Sequence, residues 1–305
     1  MNDFLKLKGL DGSNPLGFLA ALGTLVVSAR LFSNVRLSWM PISGALRPAL
    51  WNCGNDKYVF VESLNQELAN MPMTVFEIDK KLPFAIGSFT GALRDTQNFC
   101  SQKDRRTADL LTAFGSEVIK DKEVFESTDF RMVRSGDAAG QGLTAYAIAI
   151  RQATDFDVLQ RALFEIWDYR DEGFSLRWDP LEDQRYALRW HDPSSQTNKK
   201  YGPQTIRGAN ALAIEAMALF PAMPCKNKLM TTGFYENGRR SFFTWPIWDS
   251  PLGIDSIRSL ISLPELHCPI PSRAELNQRG VIQIYRCGRI APNQYYKNFT
   301  PSFPA

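Results

Sequence analysis

The sequence of 305 residues is poor in the side chains that most enzymes use to bind metals or to transfer protons. It has five cysteines, an odd number, and none of them forms a Cys-x-x-Cys pair. A zinc ribbon or a disulfide framework is therefore not expected. Only two histidines are present, His191 and His267, and they lie far apart in the sequence. We accordingly expect no catalytic residue, no metal site and no cofactor.

Long apolar runs and a strong net charge are also missing. No apolar run approaches the length that crosses a bilayer, and the first residues lack the order of a secretory signal. A cytoplasmic protein without membrane contact is therefore expected. The 35 basic and 32 acidic residues leave a formal net charge of only +3. Because so small a charge does not identify a nucleic-acid-binding protein, any basic surface must be local.

The glycine-rich segment from Ser135 to Gly142 invites a phosphate-binding interpretation. It lacks the Gly-Lys-Ser/Thr ending of a P-loop and the Gly-x-Gly-x-x-Gly register of a dinucleotide fold. We interpret it as a loop that needs positive φ angles. An enzyme with its site in this loop remains an alternative, and it predicts a concave pocket with perturbed carboxyl groups there.

A strong helix signal lies near the N-terminus. Asn14 is a good N-cap, Pro15 suits the first helical position, and an apolar stretch continues to Phe32. Gly17 and Gly23 make one side of this helix small, so another element can approach its backbone closely. The segments on both sides alternate apolar and polar residues as strands do. The pattern predicts a central core helix between two strands.

Further segments predict packed helices and more strands. The spacing of apolar residues predicts a helix from Asp104 to Lys122. Leu229–Tyr235 and Ser241–Pro246 predict a hairpin around Asn237-Gly238. Together these elements predict an α+β fold in which helices pack on a mixed sheet.

A polar run over residues 194–203 predicts a long exposed loop and is the best candidate for a mobile segment. We place an N-terminal α+β region at residues 1–193 and a C-terminal α+β region at residues 204–305. One continuous domain that carries a mobile loop at 194–203 remains the alternative.

The tract from Ser175 to Pro193 interleaves arginines, aromatic residues and carboxylates. Guanidinium groups bind phosphates and aromatic rings stack on bases. Basic doublets in expected loops are typical of contacts to a nucleic-acid backbone. The resulting hypothesis assigns phosphate contacts to Arg177, Arg185, Arg189, Lys199, Lys200, Arg239 and Arg240, and stacking contacts to Trp178, Tyr186 and Trp190.

Two alternatives to this hypothesis remain open. The arginines of the tract can instead pair with its own carboxylates, while a strand from Gln184 to Trp190 buries its rings against the core. Alternatively, the protein is a scaffold with no affinity for nucleic acid. It would then dock a partner through a broad exposed apolar patch around Trp245 and Trp248.

Several short phrases, spread over most of the chain, resemble a known family. They are Asn14-Pro-Leu-Gly-Phe-Leu-Ala-Ala-Leu-Gly, Ser175-Leu-Arg-Trp-Asp-Pro, Gly208-Ala-Asn-Ala-Leu-Ala, Thr231-Thr-Gly-Phe and Phe243-Thr-Trp-Pro-Ile-Trp. Together they resemble an accessory protein of type I-G (formerly I-U) CRISPR loci. That protein occurs alone or as an extension of the helicase-nuclease, and its opening motif is related to the large subunits of these systems.

The resemblance implies a non-enzymatic role in RNA-guided antiviral defence, either as a subunit of the crRNA effector complex or as an adaptor to the helicase-nuclease. Its expected partners are the other effector subunits, the helicase-nuclease, and crRNA or target DNA. A large subunit of such a complex reads the motif beside the target and holds the opened duplex through basic and polar side chains. By this resemblance, the region from Arg177 to Lys200 is where that contact is expected.

Overall fold

A computed structural model of the chain describes residues 4–79, 82–100, 105–121, 124–132, 142–182, 204–238, 240–293 and 296–305. In these ranges the helices are α1 (Pro15–Leu31), α2 (Lys57–Asn70), α3 (Thr74–Glu77), α4 (Ile86–Phe99), α5 (Arg106–Phe114), α6 (Leu143–Gln152), α7 (Phe156–Phe164), α8 (Arg207–Ala216), α9 (Ile254–Ile261) and α10 (Arg273–Asn277). The strands are β1 (Phe4–Lys6), β2 (Arg36–Ile42), β3 (Ala45–Trp51), β4 (Gly115–Asp121), β5 (Val124–Ser127), β6 (Asp171–Glu172), β7 (Gln204–Thr205), β8 (Ala222–Cys225), β9 (Lys228–Thr231), β10 (Phe234–Asn237), β11 (Arg240–Trp248), β12 (Val281–Asn293), β13 (Tyr296–Phe299) and β14 (Phe303–Pro304). The expected α+β class is confirmed.

The predicted N-terminal helix is the central helix of the core. The Asn14 side chain accepts hydrogen bonds from the backbone N–H groups of Leu16 and Gly17, at 2.8 and 3.2 Å, and so caps α1. Pro15 occupies the first helical position as expected. The first eleven residues of α1 are all buried, so protein encloses this part of the helix on every side.

Helix α8 packs directly on the backbone of α1. A Cβ atom added to Gly23 would lie only 1.7 Å from the carbonyl oxygen of Leu212, so no larger residue fits here without separating the helices. Helix α1 belongs to the expected N-terminal region and α8 to the expected C-terminal region. Buried side chains of the two regions form one hydrophobic cluster, so the regions share a core. The polar run 194–203 between them lies outside the described residues.

The expectation of a mixed sheet is wrong for the described strands, whose pairs are all antiparallel. One sheet has the order β1-β3-β2, and a larger one has the order β10-β11-β12-β13 with β14 also paired to β12. Short turns explain the direction, since Ser43 and Gly44 have φ values of 52° and 79° and reverse the chain between β2 and β3. The hairpin around Asn237-Gly238 is confirmed, because Asn237 pairs with Arg240.

Two predicted boundaries are wrong. The helix expected from Asp104 to Lys122 ends at Phe114, and residues 115–121 form β4 instead, which pairs with β5. The strand expected over Leu229–Tyr235 is divided between β9 and β10 by a turn in which Gly233 has a φ of 88°. In the first place, hairpin pairing with the following strand β5 outweighed the local apolar spacing, and in the second a turn interrupts the alternating segment.

No helix in the part of the chain that the structure describes is both long enough and apolar enough to span a membrane.

Candidate functional site

The structure describes three of the residues to which the sequence assigned nucleic-acid contacts, namely Arg177, Trp178 and Arg240. Arg177 is half-buried with a φ of 61°, and Arg240 is exposed at the start of β11. The others lie outside the described residues, so their grouping stays a prediction. They are Arg185, Tyr186, Arg189, Trp190, Lys199, Lys200 and Arg239.

The stacking role predicted for Trp178 is wrong. Its side chain is 0% exposed, and the indole N–H donates a 2.9 Å hydrogen bond to the carbonyl oxygen of Phe130. The two rings also meet edge to face, with centroids 5.6 Å apart. A ring enclosed in this way cannot reach a base. The large apolar area of tryptophan favours the core, and a buried carbonyl satisfies its one polar atom.

Residues next to Trp178 attach the tract to the core. The buried carboxylate of Asp179 accepts hydrogen bonds from Asn14 Nδ2 at 3.1 Å and from the Tyr169 hydroxyl at 2.6 Å. The side-chain oxygen of Asn210 accepts a 3.1 Å bond from the backbone N–H of Leu176. Phrases that carry the family resemblance therefore contact one another inside the protein. The strand that the alternative interpretation expects from Gln184 to Trp190 lies outside the described residues and stays a prediction.

The scaffold surface expected around Trp245 and Trp248 is also wrong, since both side chains are 0% exposed. Their indole N–H groups donate 2.8 Å bonds to the carbonyl oxygens of Gly12 and Leu37, respectively. The glycine-rich loop proposed as an alternative enzyme site lies outside the described residues from 135 to 141.

A basic cluster that the sequence did not indicate lies at one end of the larger sheet. We call it the basic rim and define it as Asp129, Arg131, Ser241, Arg289 and Lys297. The first two belong to the segment after β5, and the others belong to β11, β12 and β13, respectively. The cluster thus combines four segments that are far apart in sequence.

Strand register places the sheet members of the basic rim on one face. Ser241 of β11 and Phe299 of β13 both lie directly opposite Arg289 of β12, one on each side. Lys297 precedes Phe299 by two residues and therefore shares its face. Because Phe299 is fully buried, this is the face that continues into the aromatic core.

Arg289 is the best-anchored cation of the basic rim. Its Nη1 atom lies 3.1 Å from Asp129 Oδ1, and its Nη2 group donates a long 3.4 Å bond to the carbonyl oxygen of Arg131. Its Nε–H is buried and has no partner among the described residues, and the same is true of the Ser241 hydroxyl. An unpaired buried donor costs about 1–3 kcal/mol, so both groups are suited to an acceptor that enters the site.

Two further cations of the basic rim lack a carboxylate partner among the described residues. Within the described residues, the Arg131 side chain has only a 3.4 Å contact from Nη1 to the Ser127 hydroxyl, and the Lys297 amine has neither a hydrogen bond nor an ion pair. Burial lowers the pKa of both, and the neighbouring charge of Arg289 lowers each further. For Lys297, where Arg131 also contributes, the pKa falls to about 8.

The acidic groups near the basic rim form no ion pair with these two cations among the described residues. Burial raises the pKa of Asp129 more than the charge of Arg289 lowers it. Glu236, which also acts on Asp129, lies 2.8 Å from Lys228 and is paired there. When Asp129 is paired with Arg289, Arg131 and Lys297 remain as two positive charges that no ion pair among the described residues compensates.

The chain matches no protein-family model and no curated protein sequence.

A second charged cluster, inside the helical part of the core, has a different character. Buried Glu215 of α8 accepts hydrogen bonds from Arg106 and from Arg151. Each arginine also donates to a backbone carbonyl, at Pro72 and Leu68, respectively. These groups hydrogen-bond to one another and connect four helical segments, so we interpret the cluster as structural. Arg151 Nε is, like Arg289 Nε, buried without a partner among the described residues. The basic rim differs in that two of its cations, Arg131 and Lys297, form no ion pair among the described residues.

Sequence reasoning missed the basic rim because its members are separated by up to about 170 residues in the chain. One local signal existed. In β12, Arg289 follows Cys287 by two residues, so the alternation that buries the cysteine directs this arginine to the same apolar face. A charged residue at an inward-facing strand position marks either a buried ion pair or a binding site.

Proposed function

We propose that this protein is a non-enzymatic subunit of a CRISPR RNA-guided effector complex and that it contacts nucleic-acid phosphates through the basic rim. The proposed phosphate contact rests on one observation, namely that Arg131 and Lys297 lie beside Arg289 and have no ion-pair partner among the described residues. The effector complex as the setting is supported by the family resemblance of the sequence motifs.

Electrostatics favours an anion at the basic rim. Like charges held close together and partly removed from water raise the free energy of the unliganded protein. A phosphate would relieve that repulsion and would accept charge-assisted hydrogen bonds from arginine and lysine. These contacts do not depend on base identity, so the basic rim would hold and position nucleic acid rather than read its sequence.

The proposal also includes the nucleic-acid contacts that the sequence predicts outside the basic rim. Arg185, Arg189, Lys199 and Lys200 would add backbone contacts beyond the basic rim, and Arg239 and Arg240 would add contacts at the hairpin turn. Tyr186 and Trp190 would stack on bases. The helicase-nuclease and the other effector subunits would be the protein partners.

The test is binding of the purified protein to labelled duplex DNA, single-stranded DNA and guide RNA at about 50 and about 200 mM salt. Lys297→Met and Arg131→Gln remove one charge each from the basic rim. Lys8→Met removes a charge from an exposed lysine just after β1 and is the matched control. A variant with alanine at Arg185, Arg189, Lys199 and Lys200 tests the tract.

We expect salt-sensitive binding by the wild type and by Lys8→Met. Each charge removed from the basic rim should flatten the dependence of log K on log salt by about 0.7–0.9. Circular dichroism must show that the variants remain folded. If the wild type binds none of the three ligands, or if Lys297→Met and Lys8→Met bind equally well, the proposed role of the basic rim is wrong.

A further inference from the structure

We infer that the basic rim is a site for a phosphate monoester, such as the phosphorylated end of an oligonucleotide, rather than for an internal phosphodiester. The inference rests on the proposed function, which it makes more specific. It depends on the number of uncompensated charges, on the unpartnered donors and on the position of the site.

The charge of the site matches a dianion. Asp129 offsets Arg289, and Lys228 offsets Glu236, so the described residues leave two positive charges, on Arg131 and Lys297. A phosphate monoester carries about −1.5 to −2 near neutral pH, whereas a phosphodiester carries a single negative charge. A diester would leave one of these two half-buried cations without a counterion, and a monoester would neutralise both.

The donors of the site match the three terminal oxygens of a monoester. Besides the two cations, the buried Nε–H of Arg289 and the Ser241 hydroxyl have no acceptor among the described residues. Strand register puts these two groups side by side on one face. Three strong acceptor oxygens can bond to all of these donors, while an internal diester offers only two oxygens that are free of ester bonds.

The position of the site also favours a chain end. Lys297 is half-buried, and Phe299, beside it on the same face, is fully buried. A diester inside an oligonucleotide must leave the site in two directions, but a terminal phosphate is attached to its chain on one side only. A site that continues into a packed core accommodates the terminal group more easily.

Lys297 provides a readout that a purely structural lysine would not give. Its pKa of about 8 means that it loses its proton just above neutral pH, and the charged groups acting on it are Arg289, Arg131 and Asp129. Binding of a monoester requires the charged form of Lys297. Affinity for a phosphorylated end should therefore fall between about pH 7 and about pH 9, and Lys297→Arg, which stays charged, should flatten this fall.

The experiment measures binding of short single-stranded oligonucleotides of one sequence that carry a 5′-phosphate, a 3′-phosphate or hydroxyls at both ends. We expect wild type and Lys8→Met to bind at least one phosphorylated form about tenfold more tightly than the hydroxyl form, equivalent to about 1.4 kcal/mol. Lys297→Met and Arg131→Gln should lose this preference. Lys297→Arg should keep it, and it should also retain it at alkaline pH.

The outcomes separate this inference from the proposed function. Equal binding of phosphorylated and hydroxyl ends by the wild type would overturn the monoester site and leave the proposed function standing. If no oligonucleotide binds, the proposed function fails. Thermal melting with inorganic phosphate or a mononucleotide then tests the site alone. A rise in melting temperature in the wild type that is absent in Lys297→Met supports a site for a free phosphate ligand, and the lack of any rise overturns it.

Discussion

Replacing Glu215 with glutamine should be one of the most destabilising conservative changes in this protein. The Glu215 carboxylate is 0% exposed and accepts two bonds from Arg106, at 2.6 and 2.8 Å, and another from Arg151. The three residues belong to α8, α5 and α6, respectively. Glutamine keeps the size of the side chain but removes the only carboxylate that these two arginines contact among the described residues.

The expected magnitude follows from the two buried charges that would remain. Arg106 and Arg151 are both less than a tenth exposed, and they repel each other once Glu215 is neutral. Removal of one partner from a buried ion pair costs about 3–5 kcal/mol, a large fraction of a typical unfolding free energy of about 5–15 kcal/mol. Glu236→Gln is the matched control, because its ion pair with Lys228 is exposed and contributes about 0–1 kcal/mol.

Urea unfolding at neutral pH measures both variants. Burial alone would raise the pKa of Glu215, but the charges and hydrogen bonds of Arg106 and Arg151 outweigh it and lower the pKa below its ordinary value of 4.5. Stabilisation by a carboxylate with a lowered folded-state pKa is complete above 4.5 and is lost as the pH falls through the folded pKa. The difference between wild type and Glu215→Gln should therefore shrink in acid.

A loss below about 1 kcal/mol for Glu215→Gln, comparable to that of Glu236→Gln, would refute the reasoning. A large loss that does not change in acid would refute its electrostatic basis.

Three further variants test the packing. Gly23→Ala should destabilise the protein by about 1–3 kcal/mol or more, because the new Cβ would lie 1.7 Å from the Leu212 carbonyl oxygen. The control is Gly91→Ala in α4, where the new Cβ would meet nothing within 4 Å and should stabilise the helix by about 0.5–1 kcal/mol. Thermal melting measures both variants. If Gly23→Ala and Gly91→Ala shift the melting temperature in the same direction, the close contact of α1 and α8 is contradicted. Trp178→Phe should lose about 1–3 kcal/mol, because the Phe130 carbonyl oxygen loses its donor, while nucleic-acid affinity stays unchanged. A folded Trp178→Phe variant with weakened binding would restore the stacking role.

Helix ends and turns whose conformation depends on a few adjacent residues could be predicted from the sequence. The N-cap and first position of α1 need only Asn14 and Pro15, and the hairpin between β10 and β11 needs only a tight turn between two alternating segments. The α+β class follows from the mixture of such local signals. Residues 115–121 show the limit, because their apolar spacing fits a helix but their pairing with β5 makes them a strand.

The candidate site was less predictable than the fold. The sequence shows that the tract from Ser175 to Pro193 is rich in arginines and aromatic rings, but it does not show which of them face solvent. Trp178 is in the core, where its ring packs against Phe130. The tract members outside the described residues keep their predicted role.

The sequence by itself determined the fold class, the central helix and the scarcity of catalytic side chains, because capping, periodicity and composition act over a few residues or over the whole chain. Only the tertiary structure brought Arg131, Arg289 and Lys297 together with one paired carboxylate among the described residues, Asp129. Electrostatic energy depends on distance through space and on burial, and neither quantity can be read from separation along the chain.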